Sequence, residues 1–275
     1  MPLGAYGLRI VGVPEAAPLL GRAAPDWPCV EVTQEVGNLE ADAEHLDEGD
    51  ARLRLLTGGW VVLRRAPGSA RYVLPAPLSA DELVHPFLAP TAAVFTHWHG
   101  REGFHGGGLA LDGSAWGVVG DRLGGKSSLL ASLAANGIDV LCDDVLVIDG
   151  RCAAYPGPRT IDLREDAATA LGAGEAIGVA GARERWRLRL PPLDGPLTLG
   201  GWVFVTWGEV LAMRHLPASE TLERLFRNRS MTAAPRDPEH LLQLSALPAW
   251  ELIRPRSWAA VPDTLDLLLG TVRDS

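Results

Sequence analysis

The chain has 275 residues, of which 47% are hydrophobic and 21% charged, and a formal net charge of −9 at neutral pH. That is enough for a sizeable core, in one large domain or a small domain beside a larger one. The acidic balance excludes a broad nucleic-acid or anionic-membrane surface, although arginines clustered inside an acidic envelope can still line a pocket. Three cysteines, Cys29, Cys142 and Cys152, form no Cys-x-x-Cys pair, so neither a disulfide framework nor a zinc knuckle is indicated. The first twenty residues lack a basic start followed by an unbroken apolar stretch, and no apolar run is long enough to span a bilayer. The expected setting is a reducing cytoplasm.

The first ninety residues read as a small α/β unit. "EVTQEV" and "RLRLL" alternate like strands, and "GGWVVLRRAPGSARYVLP" reads as a hairpin turning at Pro67-Gly68-Ser69. Ser79 and Glu82 have capping-box spacing at the head of a short helix that Pro90 is expected to end. "TAAVFTHWHGREGF" fits a helix or a strand. Two apolar runs then flank Asp112-Gly113, a dipeptide suited to a tight hairpin turn. Leu129, Leu130, Leu133 and Ala134 recur at helical spacing, and Gly137 suits the left-handed cap. "IDVLCDD" reads as a buried strand, and "VLVIDGRCAAYP" as a hairpin turning at Asp149-Gly150. "RTIDLREDAATALG" reads as a strand and helix, "GARERWRLRLPP" as a basic, partly exposed segment, and "LGGWVFVTWGEVLAMRHL" as two strands. Three helices are expected near the C-terminus, one opening on Asp237 at N-cap with Pro238 behind it.

Gly120 to Ser127 matches G-x-x-x-x-G-K-[ST] in full. Gly120, Gly124 and Gly125 let the backbone curl so that successive N–H groups face phosphate oxygens, and the following helix favours an anion at its N-terminus. Lys126 adds positive charge near the β and γ phosphates, and the Ser127 hydroxyl can ligate magnesium. Gly120, Asp121, Arg122, Leu123, Gly124, Gly125, Lys126, Ser127 and Ser128 are therefore the expected phosphate site for ATP or GTP. Asp143 and Asp144 end the buried strand. Their adjacency suggests that one supports magnesium while the other receives a proton from a substrate hydroxyl. Arg159, Arg183 and Arg185 lie downstream, where a guanidinium can grip phosphate or an acidic substrate. His97 and His99 have metal-like spacing but no further ligands, so no zinc site is expected. Most of the nine tryptophans, Trp186, Trp202 and Trp207 among them, are expected to pack the core or the hairpins.

Residues 104 to 150 resemble the catalytic core of the HPr serine kinase/phosphorylase family. The resemblance is carried by Phe104-His105-Gly106, the Asp112-Gly113 hairpin, "GDRLGGKS", Gly137 and "VLCDD", in the same order and spacing. Within that family the chain looks most like the shorter proteins associated with peptide natural products, which include kinases of lasso-peptide precursors. "CAAYPGPRTIDL", "RERWRLRLPP" and "ETLERLF" are similar to that group's layout. It departs from the family in reading Phe-His-Gly-Gly for Leu-His-Ala-Ser, and in lacking the glycine-rich signature of the bifunctional enzymes. The resemblance implies an α/β fold: a P-loop core like that of HPr kinase and phosphoenolpyruvate carboxykinase, over residues 91–275, behind a small N-terminal domain over 1–90. It implies an ATP- and magnesium-dependent kinase acting on a serine or threonine of a peptide or small protein, with self-assembly open. Lys126 would hold the triphosphate, Ser127 and Asp144 the magnesium, and Asp143 with His105 would take the proton. The sequence does not distinguish the two aspartates. A small-molecule hydroxyl acceptor and a nucleotide-binding regulatory module are the alternatives, and the donor could also be pyrophosphate.

Overall fold

A computed structural model describes residues 1–38 and 43–275. The N-terminal part is built from eight strands: β1 (Leu3–Ala5), β2 (Leu8–Val11), β3 (Gly21–Arg22), β4 (Cys29–Val36), β5 (His45–Leu46), β6 (Asp50–Arg54), β7 (Trp60–Arg64) and β8 (Ser69–Leu74). They form one sheet in the order β3-β1-β2-β4-β8-β7-β6-β5, antiparallel except where β4 lies parallel to β2 and β8. The alternation read in "EVTQEV" and "RLRLL" falls on β4 and β6, and the Pro67-Gly68-Ser69 turn joins β7 to β8. The expected α/β unit is thus mostly sheet, with its helix supplied by the next segment.

That segment begins at α1 (Ala80–Glu82), where Ser79 and Glu82 form the expected capping box. It breaks at His85, whose backbone is extended (φ −151°, ψ 120°), and resumes as α2 (Leu88–Trp98). Pro90 therefore lies in the first turn of α2 and does not end a helix: a proline there loses no intrahelical hydrogen bond, because the first N–H groups have no partner within the helix. Leu88, Ala92, Phe95 and Trp98 pack into one core with the N-terminal strands and with Val145, Val147 and Tyr155 further along the chain. Residue 90 thus falls inside a helix shared by both halves.

The second half opens with the hairpin β9 (Glu102–Leu111) and β10 (Ser114–Val119), turned by Asp112 and Gly113 at φ 50° and 82°. Positive φ at both central residues matches the right-handed twist of the strands and favours this dipeptide. There follow α3 (Lys126–Ala135), β11 (Asp139–Cys142), β12 (Val145–Ile148), β13 (Ala153–Tyr155), β14 (Thr160–Leu163), α4 (Glu165–Leu171), β15 (Glu175–Ala180), β16 (Arg183–Arg189), β17 (Leu197–Trp207), β18 (Ala212–His215), α5 (Ala218–Arg227), α6 (Pro238–Ser245), β19 (Ala249–Arg254) and α7 (Val261–Arg273).

The large sheet runs β10-β9-β12-β13-β17-β19-β18, with β11 also on β9 and with β10 parallel to β17, so the pairing of β10, β9, β12, β13 and β17 closes on itself. Phe104, Trp202 and Phe204 fill one side with Leu225 and Leu244 of α5 and α6. Leu129, Leu130 and Leu133 of α3 and Leu265 and Leu268 of α7 cover another. A three-stranded sheet, β14-β16-β15, forms a side wall, so the expected basic segment at 181–192 contains a strand, Arg183–Arg189. Asp237 caps α6 through the N–H groups of Glu239 and His240. Among the described residues no helix is long and apolar enough to cross a membrane.

Candidate active site

Three parallel strands set the site: β10, β17 and β19 lie side by side and end at Val119, Trp207 and Arg254. Ligands in such sheets bind beyond the C-terminal strand ends. The glycine loop leaves β10 there and enters α3. Asp121 O accepts from Gly124 N at 3.0 Å, and Leu123 and Gly125 take positive φ of 67° and 81°. Gly125 is the N-cap of α3. A Cβ on it would overlap the Arg254 guanidinium and the Trp207 ring, so glycine is required on both conformational and steric grounds. Arg254 donates to Gly125 O at 2.8 Å and stacks 4.3 Å above Trp207, whose indole N–H donates to Leu123 O at 3.0 Å. Burial pushes the Arg254 guanidinium down to about 10.

Lys126 is buried, and its Nζ donates to Gly120 O and Asp121 O at 2.8 and 2.9 Å. Burial lowers its pKa, opposed by Asp143, Asp144 and Asp121. Ser127 Oγ donates to Asp143 Oδ1 at 3.0 Å. Asp143 Oδ2 is buried and has no hydrogen-bond partner among the described residues. Burial, and then the neighbouring Asp144, push the Asp143 carboxyl up to about 7. The close approach of α3 and β11 to β9 depends on Gly107, where a Cβ would overlap Leu130 of α3 and the Cys142 carbonyl.

Asp144 follows Asp143 directly and lines the same cleft as Ser127. Its backbone is left-handed (φ 75°), a region that aspartate enters more readily than most residues. Each carboxylate oxygen meets a different histidine: Oδ1 lies 3.8 Å from His105 Nδ1 and Oδ2 lies 3.7 Å from His85 Nε2. Burial lowers the His105 pKa, helped by Lys126 and opposed by Asp144. The expectation placed Ser127 with Asp144; here the Ser127 hydroxyl bonds Asp143, and Asp144 lies beside His105.

The side wall adds a second cluster. Asp162 on β14 faces Arg187 on β16 and receives Nε and Nη2 at 2.7 and 2.8 Å. Arg187 also donates to Asp81 at 2.6 Å. Arg185 lies 3.5 Å from Asp162 and 3.2 Å from His85 Nε2. Arg183 donates to the carbonyls of Asp162, Leu163 and Glu184.

Lys126, Ser127, Asp143, Asp144, His85, Asp162, Arg183, Arg185 and Trp186 are among the residues that line one cleft of about 840 Å³, whereas Arg187 and Asp81 do not line it. Arg122, Leu123, Gly125, Lys126, Ser127 and Ser128 line it, whereas Gly120, Asp121 and Gly124 shape the loop from behind. Arg159 is not in the cleft. Its buried guanidinium donates to the carbonyls of Val140, Leu141 and Pro191, which holds the end of β11 in place. His97 and His99 end α2, with no cluster of metal-ligating groups around them among the described residues.

His85, Asp162, Trp207 and Arg254 line the cleft without having been singled out as site residues from the sequence, and Arg187 holds Asp162. Two had a signal: Trp207 and Arg254 close apolar strand-like runs, and such strand ends are where α/β sheets bind ligands. The alternation Arg183, Arg185, Arg187 was a further strand signal.

No family profile and no curated protein matches the chain. Among solved structures it is similar to the HPr(Ser) kinase/phosphatase from Coxiella burnetii. The two are 11% identical, the match covers 62% of this chain and 97% of that one, and the TM-score is 0.33, a distant likeness of fold.

Proposed function

We propose that the protein is an ATP- and magnesium-dependent kinase that transfers the γ-phosphoryl group to a serine or threonine hydroxyl of a peptide or small protein. The observation that carries this reading is the Ser127–Asp143 pair with its unpartnered buried Oδ2, set between a lysine-bearing glycine loop and a second carboxylate flanked by histidine.

Magnesium fits this donor set, because it takes hard oxygens and Asp143 Oδ2 has no other partner among the described residues. Ser127 and Asp143 are the residues that would hold it, and the ion, when bound, neutralises charge on the β and γ phosphates. The loop amides and the N-terminus of α3 bind the phosphate chain. Lys126 exchanges the Gly120 and Asp121 carbonyls for phosphate oxygens. Its positive charge then steadies the developing charge in a dry site. The Asp144 side chain is more exposed than that of Asp143 and is open to an acceptor hydroxyl. It takes the hydroxyl proton as the oxygen–phosphorus bond forms and the bond to the β–γ bridging oxygen breaks, and His105 orients its Oδ1. Most of the acceleration comes from positioning.

The test is transfer from γ-labelled ATP to serine-containing peptides and extract proteins, comparing wild type with Asp144→Asn. Loss of about 10²–10⁴-fold in transfer, with nucleotide affinity retained, is expected for removal of a general base. Wild-type label confined to small hydroxyl metabolites would move the acceptor class, and binding without any turnover would leave only a regulatory module.

A further inference from the structure

His85 belongs to the N-terminal part of the chain yet stands inside the cleft. It occupies the break between α1 and α2, where the extended backbone swings the imidazole off the helix line. Its ring lies among Asp144, Asp162 and Arg185. Arginine can only donate, so Nε2 accepts from Arg185 Nη1 at 3.2 Å and the ring proton sits on Nδ1, 3.7 Å from Asp162 Oδ2. Burial drives the imidazole toward its neutral form, in agreement with that assignment.

The same segment is tied to the side wall twice. Asp81, four residues earlier, receives Arg187, which also grips Asp162. Pro86 packs against the turn at Gly181, where an added Cβ would meet its ring. A second N-terminal residue supports the same place from behind. Tyr6 is buried, its N–H donates to Pro156 O at 2.7 Å, and its ring lies against Gly157.

We infer that the N-terminal part completes the transfer site, with His85 acting as a positioning residue that keeps Arg185 off Asp144. Arg185 lines the same cleft as Asp144 and is held by Ala180 O at 2.7 Å, by His85 at 3.2 Å and, at 3.5 Å, by Asp162. Without the imidazole, its Nη1 keeps only the 3.5 Å contact with Asp162 and can turn toward Asp144 Oδ2, occupying the oxygen that an acceptor hydroxyl must reach. The inference rests on the kinase reading. It assigns the N-terminal part of the chain a role in turnover, where a merely appended domain would have none.

The experiment compares full-length wild type, His85→Ala and His85→Gln in three measurements: phosphate release from MgATP with and without a serine-peptide mixture, affinity for a fluorescent ATP analogue, and Tm. Glutamine can place an oxygen where Nε2 accepts from Arg185, and alanine cannot. The expected result is a loss on the order of 10²-fold in turnover for His85→Ala, as for a misplaced catalytic group, with nucleotide affinity unchanged and most of the rate restored in His85→Gln. Wild-type turnover in His85→Ala would overturn the inference while leaving the kinase reading standing. Equal losses in both variants, with nucleotide affinity and Tm falling together, would also overturn it, because they would make His85 a packing residue. A wild type that binds MgATP and never releases or transfers phosphate would overturn the kinase reading and this inference together.

Discussion

The two walls of the cleft are built in different ways. The wall proposed to bind phosphate is one contiguous stretch, Gly120 to Ser127, plus Asp143 one helix and one strand later. The wall proposed to receive the acceptor is assembled from His85, Asp144, Asp162 and Arg185, backed by Asp81 and Arg187, which lie on five separate elements or connections. A wall of the first kind can be recognised in a sequence, because its chemistry depends on local backbone form. A wall of the second kind depends on how distant segments pack, and its charges hold one another in place.

The largest expected effect separates the walls kinetically. Asp144→Asn should lose the 10²–10⁴-fold expected for a general base while binding nucleotide normally. Asp143→Asn should weaken magnesium-dependent nucleotide binding, because Ser127 and Asp143 share the phosphate side. If the two variants exchanged these phenotypes in parallel binding and transfer assays, the assignment of the aspartates would be wrong.

Next in size is a stability effect confined to the acceptor wall. Arg187 and Asp162 are both buried, and removing Arg187 leaves Asp162 only its longer contact with Arg185 at 3.5 Å. Breaking such a pair costs about 3–5 kcal/mol. Arg187→Met should therefore lower the unfolding free energy by that order in denaturant titrations, with a further loss of the Asp81 link to the N-terminal part. An unchanged denaturation midpoint would show that the wall does not depend on this pair.

Asp143 gives an effect of opposite sign on the phosphate wall. Its carboxyl is raised from 3.8 to about 7 in the folded protein, chiefly by burial. The folded state thus holds a proton that the unfolded chain releases between about pH 4 and pH 7, so this group's contribution to stability is greatest below pH 4 and falls as pH rises to 7. Every tenfold change in proton affinity between the two states corresponds to about 1.4 kcal/mol. Asp143→Asn removes the buried charge and keeps an oxygen for Ser127. In chelator, it should be more stable than wild type by about 2–4 kcal/mol above pH 7, with the difference fading toward pH 4. Melting curves across that range check it, and a constant difference would show that burial does not penalise the charge.

The same contrast explains what could be read from the sequence. The turn from β10 through the glycines into α3, the Asp112-Gly113 turn, the Ser79 capping box and the Asp237 N-cap all formed as expected, because each is decided within a few residues. Which aspartate the Ser127 hydroxyl bonds was not legible, since β11 ends at Cys142 and Asp144 takes a left-handed backbone. Asp162 and Arg187 meet only through the register of β14 on β16, which strand propensity does not encode. His85 was hidden because its break between helices places it against residues some sixty to a hundred positions later. The three arginines read as equivalent candidates have separate fates: Arg159 braces β11, Arg185 is held by His85, and Arg183 remains at the cleft surface.

Arg183 offers the smallest expected effect. Its guanidinium donates to three backbone carbonyls at 3.1 to 3.3 Å on a half-buried side of the wall. Carbonyls left by a truncated side chain there can turn to water, so the stability cost of Arg183→Gln should be below about 1 kcal/mol. It is also a cleft-lining cation. Its removal should therefore raise the acceptor KM by only a few-fold where the acceptor is acidic, with kcat and nucleotide affinity unchanged, the mark of uniform binding lost. A fall in kcat without a change in KM would place Arg183 at the reacting atoms and would extend the acceptor wall's charge network one residue closer to the phosphate loop.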